Sequence, residues 1–95
     1  MLYTLGRTPT QCDLPALLRL VQQNDALLLL QDGVLAGLAG SGSLEQLLDT
    51  QVTLYALRDD LDARGLSGHI SHKITVISYT GFVALTEKHH SQIAW

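Results

Sequence analysis

The sequence predicts a single α/β domain spanning residues 1–95, with a mostly parallel sheet of four to five strands layered against helices. Short apolar runs alternate along the chain with helix-patterned stretches, which is the order that builds βαβ units. The run Ala26-Leu27-Leu28-Leu29-Leu30 has no polar residue at alternate positions, as a strand covered on both faces requires. A chain of 95 residues also has room for one core only.

Each element has a local reason. Leu2–Leu5 reads as the opening strand, closed by Gly6 and Pro9. Asp13 stands where a helix N-cap belongs, and Pro15 is tolerated in the first turn. Leu14, Leu17, Leu18 and Val21 then recur at i, i+3, i+4 and i+7, one stripe of an amphipathic helix ended by Asn24-Asp25. The second strand is the leucine run, turned by Asp32-Gly33 into a short helix over Val34–Leu38. Gly37, Gly40 and Gly42 mark a mobile turn. Ser43 is placed to cap a second short helix carrying Leu44, Leu47 and Leu48. Val52–Leu57 reads as the third strand, and Asp59, Asp60 and Asp62 open a helix that Arg64-Gly65 ends. The fourth strand is Ile74–Tyr79. Thr80 caps a last helix that runs to Lys88 and His89, and Ser91–Trp95 closes the chain.

Composition narrows the function. Charged residues are 16%, well below the roughly 25% of an average domain, and apolar ones are 46% with twenty leucines, so a disordered segment is excluded. The net charge of −3 and the scattered cations argue against a direct nucleic-acid binder. A lone cysteine, Cys12, excludes a disulfide framework. The longest apolar run is far short of the roughly twenty residues of a membrane span, and the N-terminus lacks an export signal, so a cytoplasmic location is expected. A domain this small covers only about two-thirds of its unfolded surface. The aliphatic excess therefore favours a subunit that buries a further face on partners over a monomer with scattered exposed leucines.

Chemistry-bearing residues are few. Gly37-Leu38-Ala39-Gly40-Ser41-Gly42 lacks the Gly-Lys-Ser/Thr ending of a phosphate loop, so no cofactor is expected. His69 and His72 are spaced for a shared face only on a helix, yet they fall in a loop; with His89 and His90 they read as exposed imidazoles, and no metal is expected. Cys12 lies just before a helix start, where amides lower a thiol pKa, but Asp13 opposes the thiolate. Asp32 has two readings, a ligand-binding carboxylate at a strand end or a turn residue before Gly33.

The carrying segments Met1-Leu2-Tyr3-Thr4-Leu5, Leu27-Leu28-Leu29-Leu30-Gln31-Asp32-Gly33-Val34, Val52–Leu57, Asp60–Leu66 and the terminal Ile93-Ala94-Trp95 resemble the DsrH-like family from end to end. The resemblance implies a DsrE-like α/β/α sandwich and a heterohexamer with TusC-like and TusD-like subunits. Such a complex takes persulfide sulfur from a TusA-like donor and hands it to a TusE-like acceptor, toward 2-thiouridine at the tRNA wobble position. The resemblance also puts Leu57 at or beside the position of the TusD-like subunit's sulfur-carrying cysteine. It therefore implies a non-catalytic subunit here, with a persulfide carrier using Cys12 as the alternative. Contacts with partners are expected at or near Val34, Leu35, Leu38, Leu44 and Leu47 and at Trp95, whose other reading is a ring tucked onto its own sheet.

Overall fold

In the computed structural model, which describes residues 1–95, the first strand β1 (Leu2–Leu5) leads through a loop into α1 (Leu14–Leu20). The Asp13 carboxylate accepts the Ala16 N–H at 3.1 Å, and Pro15 sits in the first turn, where no amide donor is needed. The helix stops one residue before the end of the predicted stripe, because Val21 turns extended while its N–H still bonds Leu17. All four residues of β2 (Ala26–Leu29) are buried.

Gln31 adopts a left-handed φ of 50° and starts a 3₁₀ segment (Gln31–Gly37), three residues ahead of the helix predicted at Val34–Leu38. Its tight winding brings Gly33 against the end of β1, where a Cβ would stand 1.9 Å from the Leu5 carbonyl oxygen. Only glycine fits there. The neighbouring Gly37 is buried and its carbonyl accepts from Ser71, so this corner is tied to the 66–74 loop instead of forming part of a free turn.

Two caps differ from the sequence expectation. Helix α2 (Gly42–Leu48) is capped by Ser41, whose hydroxyl accepts the Leu44 N–H at 3.1 Å; Ser43 lies inside the helix and donates to the Ala36 carbonyl. After β3 (Thr53–Leu57) and α3 (Arg58–Ala63) comes β4 (Thr75–Ile77), shorter than the predicted Ile74–Tyr79. The reason is that Ser78, not Thr80, caps α4 (Tyr79–Lys88), with its hydroxyl accepting from Gly81 N–H at 3.3 Å. In both cases two hydroxyls are available and the extended one three residues ahead of an unpaired amide takes the cap. The tail forms β5 (Gln92–Ala94).

The five strands pair in the order β4-β3-β2-β1-β5, and every pairing is parallel. The chain steps one way from β1 to β4, then jumps back across the sheet to put β5 beside β1. Right-handed crossovers accordingly place α1, the 3₁₀ segment, α2 and α3 on one face and α4 alone on the other. The core divides the same way. Fifteen buried residues fill the first side, including Leu5, Leu17, Leu27, Leu29, Leu47 and Leu61, whereas Leu2, Ala26, Leu28 and Leu85 make up the second.

Candidate functional site

The jump from β4 to β5 creates a switch point between β1 and β5. In open parallel sheets a ligand crevice lies outside the carboxyl ends of the strands at such a point. A cleft of about 310 Å³ lies there, lined by Arg7, Cys12, Asp13, Ala94 and Trp95. Arg7 follows β1 through Gly6, Cys12 and Asp13 immediately precede α1, and Ala94 and Trp95 end β5. The Trp95 backbone N–H bonds the Thr4 carbonyl at 2.7 Å and its indole N–H reaches the Asp13 carbonyl at 3.3 Å. The ring thus tucks onto its own chain as one wall of the cleft.

Cys12 is half-buried against the larger core. Burial pushes its thiol above the ordinary cysteine range; the Arg7 guanidinium pulls it down and the Asp13 carboxylate pushes it up again. At neutral pH the group is a thiol, which is the weak form for nucleophilic sulfur transfer.

A second polar cluster lies at the carboxyl ends of β2 and β3. Arg64 donates to Asp32 Oδ1 at 2.9 and 3.2 Å and to the Asp60 carbonyl at 3.1 Å, and Asp60 Oδ2 accepts the Gln31 N–H at 2.7 Å. Asp32 is therefore engaged in holding the 3₁₀ segment against α3, which favours its reading as a turn residue. Beside this cluster, Leu57 is the last residue of β3 and the N-cap position of α3. Leucine here has no proton to give and no sulfur to load, and Asp59 and Asp60 in the first turn of α3 would oppose a thiolate.

His69 and His72 are exposed in the loop before β4, and His90 is exposed after α4. His89 accepts a hydrogen bond from the Met1 ammonium at 3.3 Å and is held below the ordinary imidazole range by burial, that ammonium and Lys88. No three His, Cys, Asp or Glu side chains gather closely enough to hold a metal ion.

Of the residues expected near partner contacts, Val34, Leu44 and Leu47 pack into the chain's own core, while Leu35, Leu38 and Trp95 are half-buried. A partner on that side would meet the residues around the first three. Arg7 and Ala94 went unmarked in the sequence because the cleft depends on β5 lying beside β1, and strand order leaves no trace in local pattern.

The all-parallel sandwich with its switch-point cleft defines a small α/β protein of a kind found among solved structures. The ychN protein from E. coli superimposes with a TM-score of 0.76 at 17% identity, over 99% of this chain and 97% of that one. Protein Tm0979 from Thermotoga maritima does so with a TM-score of 0.68 at 29% identity, over 96% and 97%. The chain belongs to the DsrH-like family, whose description, DsrH like protein, matches residues 7–92. Among its relatives, the protein named TusB of Serratia proteamaculans is 73% identical and that of Sodalis glossinidius 58% identical, each over the whole of both chains. No helix is long and apolar enough to cross a membrane.

Proposed function

We propose that this chain is a non-catalytic subunit of a TusBCD-type sulfurtransferase complex, which relays persulfide sulfur for 2-thiouridine synthesis at the tRNA wobble position. It assembles with TusC-like and TusD-like subunits into a cytoplasmic heterohexamer. A TusA-like donor and a TusE-like acceptor exchange sulfur with the complex, and this chain makes no direct contact with nucleic acid. The observation that carries the reading is the residue at the β3–α3 junction. The family resemblance puts the sulfur-carrying cysteine of the TusD-like subunit at or beside that position, and here Leu57, which has no thiol, occupies it. The full-length likeness to proteins named TusB supports the assignment to this relay.

A second reading, Cys12 as a persulfide carrier, is favoured by one feature, the opening of Cys12 into the switch-point cleft beside Arg7. The raised thiol pKa weighs against it. Replacing Cys12 by serine separates the two in a strain lacking the native chain. Undiminished wobble thiolation, read by nucleoside mass spectrometry, is the expected result; loss of 2-thiouridine with the complex still assembled would make Cys12 the carrier.

A further inference from the structure

The lone helix on the thin side of the sheet has an unusual outer surface. Its exposed stripe runs Tyr79, Thr80, Val83, Ala84, Glu87, Lys88, so the first two turns carry no charge. A water-facing helix stripe is ordinarily polar or charged throughout. Tyr79 is 63% exposed and Val83 40%. The Tyr79 ring meets Phe82 edge-on at 5.9 Å, which positions the ring without covering it. Depletion of charge and enrichment in aromatics mark the centre of protein interfaces.

The stripe is also complementary to itself. Tyr79 and Lys88 are the two ends of α4, and its midpoint falls between Val83 and Ala84. When two copies of the helix are laid antiparallel about that midpoint, Val83 of each comes level with Ala84 of the other beside the twofold axis. At each end, Thr80 then comes level with the other copy's Glu87, and Tyr79 with its Lys88. The hydroxyl can donate to the carboxylate, and the ammonium can sit over the ring. Within one chain none of these four side chains makes a hydrogen bond or ion pair. An apolar centre with a matched polar rim is what an isologous contact needs.

We infer that the outer face of α4 pairs with α4 of a second copy of this chain across a twofold axis. This inference does not depend on the relay reading. A stable dimer buries about 800 Å² per partner, more than two ten-residue helices supply, so the isolated dimer should dissociate on the order of tens of micromolar or weaker.

The test is sedimentation equilibrium of the full chain, alone, with Val83→Arg and Tyr79→Ser as variants and Gln46→Arg on the opposite side as control. Circular dichroism verifies that each variant is folded. The expected result is a monomer–dimer equilibrium weakened roughly tenfold or more by Val83→Arg, measurably by Tyr79→Ser and unchanged by Gln46→Arg. A wild-type chain that stays monomeric to millimolar concentration, or a dimer indifferent to Val83→Arg, overturns the pairing. Where the chain alone aggregates, the same variants are read by native mass spectrometry of the co-expressed complex, the one arm that rests on the relay reading. Separation of the two copies by Val83→Arg supports the contact; an intact assembly, or loss of a different subunit, overturns it.

Discussion

The two faces of the sheet are built to different standards. On one, α1, the 3₁₀ segment, α2 and α3 enclose fifteen buried residues, and backbone comes so close to backbone that Gly33 has no room for a methyl group. On the other, a single helix brings Leu85 against three buried strand residues and leaves Tyr55, Leu57, Ile77 and its own Phe82 half-covered. The same strands supply both, since alternate side chains point to opposite faces. What differs is the number of helices that chain direction delivers to each side. A fold that steps from β1 to β4 before reversing finishes one core and leaves the other thin. The finished face holds most of the buried core, and the thin one leaves apolar surface open.

The sharpest way to break this contrast is Gly33→Ala. The added methyl would meet the Leu5 carbonyl oxygen at 1.9 Å, and that atom belongs to the first strand's backbone, not to a side chain able to swing aside. A loss of about 3 kcal/mol or more is expected, in the upper range for overpacking. Urea unfolding measures it. A midpoint within error of wild type would mean that the corner is far looser than the contact implies.

A matched pair of deletions compares the faces directly. Leu47 is fully buried in the larger core, and Leu85 is the one buried residue that α4 contributes to the smaller. Leu47→Ala should cost about 3–4 kcal/mol and Leu85→Ala about 2, because a thinly covered site collapses more readily around the missing atoms. Equal losses would remove the distinction between a finished and an unfinished side.

Much of this architecture is legible in the sequence because its signals are local. The unbroken Ala26–Leu30 run marks the central strand, Asp13 marks the α1 cap, and the parallel sheet follows from alternation. What is not legible depends on which segments become neighbours. Leu35 and Leu44 look alike as apolar residues of short helices, yet one is half-buried and the other packs into the core. Ser41 and Ser43 are equally good caps until the backbone chooses. Trp95 lies 82 residues from Asp13 in sequence, and only the reversal at β5 lets the indole bond the Asp13 carbonyl and close the cleft.

That cleft lies at the carboxyl edge of the sheet, and its thiol reports the smallest effect. Burial raises the Cys12 pKa, Arg7 lowers it and Asp13 raises it further. Alkylation by iodoacetamide should therefore reach half-maximal rate at a higher pH in the folded chain than in urea. Asp13→Asn should bring that pH down while leaving the helix capped, since asparagine caps as well as aspartate does; Arg7→Gln should move it up. The linkage follows the same sign. A thiol with its folded pKa above its unfolded one contributes stability that is complete below the unfolded value and is lost as pH rises through the folded value. Cys12→Ser removes that group, so its stability difference from wild type should shrink at alkaline pH. If Asp13→Asn and Arg7→Gln leave the alkylation profile where it is, the cleft's charges do not act on Cys12. Its slow reaction would then be a matter of burial alone, as for a small apolar residue at the margin of the finished core.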